Sequence, residues 1–218
     1  VIVDVPETAK LVLATHNPHK VDELRAILAP LVSGWRDDWV ISAAQVGADE
    51  PVEDGTTFSA NARIKAEALS RATGLPAVAD DSGLCVDILG GAPGIFSARW
   101  CGRHGDDQAN LDLLLAQLAD VADPHRQARF VSAAVLVTPG GVVRSALGEL
   151  RGRLLTAPRG SAGFGYDPIF VPDGFDVTTA EMSPEEKNAI SHRGLSFRQL
   201  APVIATVIEL GPDARDEV

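Results

Sequence analysis

Residues 10–28, KLVLATHNPHKVDELRAIL, decide the fold. Lys10 to Thr15 is a short apolar run that ends in a polar loop, the pattern of a buried strand. Asn17 and then Pro18 start a helix: asparagine caps the first N–H groups, and proline's fixed φ suits the first helical position. Val21, Leu24, Ile27 and Leu28 give that helix an apolar face. A strand that feeds an amphipathic helix through a polar turn belongs to an α/β protein.

Outward from this unit, Gly55 to Thr57 leads into a helix over Thr57 to Ala72, ended by Gly74 and Pro76. Pro76 to Asp80 and Leu84 to Ile88 read as two short strands around a polar turn. Gly90 to Gly105 is glycine-rich loop, and Asp106 to Leu118 is a helix with Leu111, Leu114, Leu115 and Leu118 on one face. Arg129 to Thr138 and Val142 to Leu150 flank Pro139-Gly140-Gly141 as a long hairpin. A glycine-rich loop, Gly160 to Tyr166, precedes a strand over Pro168 to Val171. Ser183-Pro184-Glu185-Glu186 is a capping box, and a last helix runs from about Leu195 to Leu210. Strands and helices mix without strict βαβ order. The expected fold is α/β: a mixed, elongated sheet flanked by helices, in two lobes with the active-site cleft between them.

The chain has 218 residues, 45% hydrophobic and 22% charged, which is globular composition with ample material for a core. Its net charge of −11 argues against a nucleic-acid polymer or an anionic membrane as partner, since both are bound through basic patches. A small phosphorylated ligand needs only a few placed cations and stays open. Cys85 and Cys101 form no metal-type pair, and no stretch reaches the ~20 apolar residues of a membrane span. Residues 1–9 are expected to be a flexible arm, 10–212 a single domain and 213–218 a tail. VIVDVPETAK has neither the cationic start nor the apolar centre of a signal peptide, so the expected location is cytoplasmic.

Polar residues gather at element ends in five places. Thr15-His16-Asn17-Pro18-His19-Lys20 offers helix N–H groups, a hydroxyl, an amide and a lysine to a phosphate. Asn61 and Lys65, four apart, share a helix face behind Glu53 and Asp54. Asp80-Asp81-Ser82 ends an apolar strand, where a divalent cation would relieve the repulsion between adjacent carboxylates. Gly163-Phe164-Gly165-Tyr166-Asp167 pairs glycines with rings able to stack on a base. Lys187, Ser191, His192 and Arg193 sit at a helix–loop junction suited to anion recognition. Each has a plain alternative: a capped helix, a surface lysine, an Asx turn, rings that plug the core, or a solvated helix face. Taken together, acids for Mg²⁺, cations for phosphates and aromatics for a base describe a nucleoside-triphosphate site.

Five segments, LVLATHNPHKVDEL, GTTFSANARIKAEA, DDSGLCVDILGGAPGIFSARW, GFGYDPIF and EEKNAISHR, resemble the signature segments of the inosine/xanthosine triphosphate pyrophosphatase family, the Ham1-like house-cleaning enzymes. The resemblance runs in order from about residue 10 to about residue 205. It implies Mg²⁺-dependent hydrolysis of ITP, dITP or XTP to the monophosphate and pyrophosphate, by a homodimer. It also implies residue roles. Asp81 would be the metal-linked general base, Glu53 a metal ligand, Asp80 a supporting acid and Ser82 a substrate contact. Asp54, beside Glu53, leaves the metal ligand open by one position. Thr15, Asn17 and Lys20 would form the phosphate turn, Lys65 and Lys187 would bind the triphosphate, and Asn61 would support them. Phe164, Gly165, Tyr166 and Asp167 would clamp the base, while His192 and Arg193 would read its 6-keto edge. His16 and His19 stay open between phosphate and solvent. The rival readings are a nucleotide-binding regulator that does not hydrolyse and a Maf-like pyrophosphatase.

Overall fold

The computed structural model describes residues 3–211, apart from the side chains of Pro18 and His19. The expected 213–218 tail, residues 1–2 of the arm and any phosphate contact by His19 lie outside the described residues.

The described residues form β1 (Leu11–Leu13), α1 (Pro18–Leu28), β2 (Val40–Ser42), α2 (Ala43–Val46), α3 (Phe58–Thr73), β3 (Ala77–Val86), α4 (Asp107–Gln117), β4 (Gln127–Val137), β5 (Val143–Leu154), β6 (Phe170–Pro172), α5 (Pro184–Ile190) and α6 (His192–Leu210). Short 3₁₀ turns fill several of the connections. The strands make one six-stranded sheet in the order β2-β1-β3-β4-β5-β6. β1 runs parallel to both β2 and β3, whereas β6 is antiparallel to β5, so the sheet is mixed. The expected α/β class with helices flanking a mixed sheet is the observed one.

The chain divides into two compact units, residues 1–81 with 133–147 and 195–218, and residues 82–132 with 148–194. In the first, the strands are apolar on both faces, as parallel strands covered by helices must be. Alternation sorts them. Leu11, Leu13, Val78, Ala134 and Leu136 join Leu24 and Leu28 of α1 and Phe197, Leu200 and Ile204 of α6 in one cluster. Their neighbours Val12, Ala77, Ala79, Val135 and Val137 join Ala62, Ala66 and Leu69 of α3 in the other. Successive strand side chains point to opposite faces, so each helix layer meets every second residue. Val3 and Val5, in the segment expected as an arm, pack against the α3-side cluster.

The second unit buries Leu84, Val86, Leu111, Leu114, Leu118, Leu154, Tyr166, Ile169 and Phe170 together. Arg126 is 1% exposed there, and its guanidinium donates to the carbonyls of Leu118 (2.7 Å), Leu154 (2.9 Å) and Leu155 (2.7 Å). A buried charge is tolerable when hydrogen bonds replace its hydration, and carbonyl oxygens do that here.

One expectation is corrected. Asp80-Asp81-Ser82-Gly83 is not a turn between two strands; it lies within the ten-residue strand β3. Side-chain partners stabilise the extended form where an Asx turn would otherwise compete.

Candidate active site

The strand geometry of β3 splits the aspartate pair. Asp80 follows Val78 by two and lies on the α1 side, while Asp81 follows Ala79 on the α3 side. Lys20 of α1 accordingly reaches Asp80, with Nζ 3.0 Å from Oδ1 and 3.2 Å from Oδ2. Asp80 is 3% exposed, whereas the Lys20 side chain keeps about a quarter of its surface open to the cavity. On the other face Asn61 Nδ2 donates to Asp81 Oδ2 at 3.1 Å. Lys65 Nζ lies 3.2 Å from Glu53 Oε1 and 3.8 Å from Asp81 Oδ1. The four-residue spacing of Asn61 and Lys65 brings both to one carboxylate. Thr57 caps α3 by accepting from Ala60 N at 3.1 Å, which fixes where that helix begins.

Asp81 is held above the usual carboxylate range. Burial is the largest cause. The Lys65 charge and the Asn61 hydrogen bond oppose it, and the charges of Glu53 and Asp80 add to it. Gly55 makes room for this arrangement: a Cβ there would stand 2.6 Å from Asn61 Oδ1.

A cavity of about 540 Å³ opens beside these groups, lined by Thr15, His16, Asn17, Lys20, Glu50, Glu53, Lys65 and Asp80, with Ala14. Thr15 Oγ1 accepts from Asn17 N at 3.0 Å and so shapes the turn into α1. His16 Nδ1 lies 2.7 Å from Glu50 Oε1, a pairing not foreseen from sequence, where the two are 34 positions apart.

In the second unit the glycine-rich loop is built around Asp167. Its carboxylate accepts from Phe164 N (2.9 Å) and Thr179 Oγ1 (2.8 Å) and takes the Lys187 ammonium. Gly163 has φ +77°, and a Cβ there would stand 2.1 Å from Asp167 Oδ2, so both conformation and contact require glycine. Phe164 stays 65% exposed, with Lys187 Nζ 5.4 Å from its ring centre. Gly165 N donates to Asp107 Oδ2 at 3.0 Å. Tyr166, expected beside a base, turns inward instead. Its ring is in the core and its hydroxyl donates to Ser97 O at 2.9 Å, and burial pushes the phenol up.

α6 begins three residues earlier than expected, so His192 and Arg193 stand at its first turn, where Ser191 Oγ accepts from Gly194 N (2.9 Å). Arg193 Nη2 donates to Ser82 Oγ at 3.2 Å. The His192 ring stacks on Phe130 of β4, with centres 5.0 Å apart and planes at 13°. Phe130 was not foreseen; an aromatic in an apolar strand carries no sequence mark of such a role.

The acids of the first unit suit a hard divalent cation. Glu53 and Asp81 both abut the Lys65 ammonium, whereas Asp54 is exposed. Among the described residues no three His, Cys, Asp or Glu side chains gather to hold a metal by themselves. Mg²⁺ characteristically takes one or two carboxylates and completes its shell with water and substrate phosphate, so the pair fits.

Fold and cavity together define an α/β protein whose cavity gathers two lysines with carboxylates. The chain belongs to the Ham1 family, whose model matches residues 11–203. It is 59% identical over 199 residues to a dITP/XTP pyrophosphatase of Streptomyces avermitilis, covering 91% of this chain and 98% of that protein. A dITP/XTP pyrophosphatase of Bifidobacterium animalis subsp. lactis is 48% identical, over 92% of this chain and 99% of the relative. Among solved structures, a HAM1 protein from Coxiella burnetii superposes with a TM-score of 0.81 at 37% identity, over 90% of this chain and 98% of that one. A nucleoside-triphosphatase / dITP/XTP pyrophosphatase from Mycobacterium abscessus gives 0.73 at 50% identity, over 89% and 98%.

Proposed function

We propose that this chain hydrolyses the non-canonical purine triphosphates ITP, dITP and XTP to the monophosphate and pyrophosphate, with Mg²⁺ as cofactor, and so cleanses the nucleotide pool. Family membership and relatives named for this activity, matched over nearly their whole length, make the chain a nucleoside-triphosphate pyrophosphohydrolase. The observation that carries the finer reading is Asp81: a largely buried carboxylate of raised proton affinity, oriented by Asn61 and set beside Lys65 and Glu53.

In this reading Asp81 takes the proton from the water that attacks the α-phosphorus. Asn61 holds the carboxylate in one orientation for that transfer. Glu53 and Asp81 would hold Mg²⁺, which when bound supplies positive charge to the reacting phosphate and the leaving pyrophosphate. Thr15 and Asn17 shape the phosphate turn. Lys20 and Lys65 move from carboxylate to phosphate oxygens, and Asp80 keeps Lys20 in place until then.

The second unit is assigned the base and one further phosphate cation, Lys187. The exposed Phe164 ring stacks on the purine, with Gly165 allowing close approach. Asp167 and Tyr166 act indirectly, by fixing the loop that presents Phe164. His192 and Arg193 donate to the 6-keto oxygen, and Ser82 steadies Arg193. Adenine's amino group would meet those donors with another donor. A buried polar group left unpaired in this way costs roughly 1–3 kcal/mol, so ATP is disfavoured.

Residues 10–212 are the catalytic domain in this reading, and the family resemblance supports a cytoplasmic homodimer. Among the described residues no helix is long and apolar enough to cross a membrane. Pyrophosphate release measured across ITP, XTP, ATP, GTP, dTTP and UTP, with and without Mg²⁺, tests the proposal. Turnover of ITP and XTP should exceed that of ATP by about 100-fold in kcat/KM and vanish without the metal. Equal rates across the panel, or a preference for dTTP or UTP, would remove the purine assignment.

A further inference from the structure

Two lysines and a histidine line the cavity of the first unit, and each rests on an acid. Lys20 is held by Asp80 at 3.0 Å, Lys65 by Glu53 at 3.2 Å, and His16 by Glu50 at 2.7 Å. The first two pairs belong to the phosphate and metal groups assigned above. The third has no assigned role. His16 stands in the proposed phosphate turn, between Thr15 and Asn17, and lines the same cavity as they do.

We propose that His16, oriented by Glu50, is a further phosphate-binding residue, contacting the phosphates that leave as pyrophosphate. The proposal rests on the triphosphate reading of this cavity and adds a ligand to it.

The chemistry follows from the pair. A carboxylate only accepts, so the hydrogen between His16 and Glu50 is carried on Nδ1. That bond fixes the ring's orientation and leaves Nε2 for a ligand, in the way an outer carboxylate sets a histidine elsewhere. When Nε2 also donates, to a phosphate oxygen, the ring is an imidazolium, and it places a third positive charge in the cavity beside Lys20 and Lys65. His16 and Glu50 are 49% and 75% exposed, so they form the solvent side of the cavity, whereas Asp80 and Asp81 lie deeper. A group on the solvent side meets the phosphates remote from the buried base, which are the ones released as pyrophosphate. An exposed ion pair of this kind contributes little to stability, so its removal leaves the fold intact.

The test compares wild type with H16A, H16K and E50A in the Mg²⁺-loaded enzyme, reading KM and kcat for dITP and product inhibition by pyrophosphate and by dIMP. One charge-assisted phosphate contact corresponds to about a tenfold change in binding. H16A should raise the dITP KM and the pyrophosphate inhibition constant by about that factor, with kcat and dIMP inhibition unchanged. H16K should recover most of the loss, and E50A should lose about threefold, by releasing the ring. Unchanged pyrophosphate inhibition in H16A, or equal weakening of dIMP, overturns the proposal. Binding of inorganic tripolyphosphate to wild type and H16A reads the same contact without turnover. A wild-type enzyme that fails on dITP but loses tripolyphosphate affinity in H16A would contradict the function above and leave this contact standing.

Discussion

The surroundings of Asp81 disagree about its charge. Burial and the neighbouring acids disfavour the carboxylate, while Lys65 and Asn61 favour it, and burial prevails. The consequence for stability has a definite sign. The folded chain holds the proton to a higher pH than the unfolded chain does, so this residue's contribution is intact below the ordinary carboxylate range. It is lost as pH climbs through the raised value. Asp81→Asn carries no charge to bury, and its amide oxygen can still accept from Asn61. In chelator, thermal melts should show D81N a few degrees more stable than wild type at neutral pH, with the gap closing towards about pH 4. A D81N protein less stable than wild type at neutral pH would show that the carboxylate, not its absence, holds this part of the fold together.

At the scale of elements, most of the helices and the hairpin could be read because their signals are local. Asn17-Pro18, the Thr57 cap and the Ser183 capping box each mark a helix start within a few residues of chain. β2 escapes a local reading because Val40-Ile41-Ser42 has no glycine or proline beside it and lies outside every motif segment. β3 was cut in two because Asp-Asp-Ser-Gly is turn chemistry, and the groups that hold it extended come from elsewhere: Lys20 from α1, Asn61 and Lys65 from α3. Gly83 shows how closely this strand is packed. A Cβ there would stand 2.5 Å from both Gly94 O and Ser97 Oγ, and Ser97 Oγ in turn accepts from Leu84 N at 2.9 Å. Gly83→Ala must displace that bracket, and overpacking of this kind costs about 1–3 kcal/mol. Urea unfolding should register the loss; a midpoint equal to wild type would show that the 94–99 turn yields freely.

At the scale of the molecule, the net charge of −11 describes the surface more than the site. The cavity sets Lys20 and Lys65 among Asp80, Glu53 and Glu50, so opposite charges nearly balance there despite the acidic surface. Lys20, Lys65 and Asp81 lie within contiguous signature segments and Glu53 stands two residues before one, so local pattern singles these four out. The Glu50 partner, Phe130 behind His192 and the inward turn of Tyr166 depend on contacts between distant segments, which no local pattern encodes. The central claim is that Asp81 is the base of a purine triphosphate pyrophosphohydrolase. Pyrophosphate release from dITP with Mg²⁺, by wild type and by D81N confirmed as folded, tests it most directly. The account predicts turnover by wild type and a loss of at least about 100-fold in kcat for D81N, and a D81N enzyme that turns over dITP at the wild-type rate would contradict it.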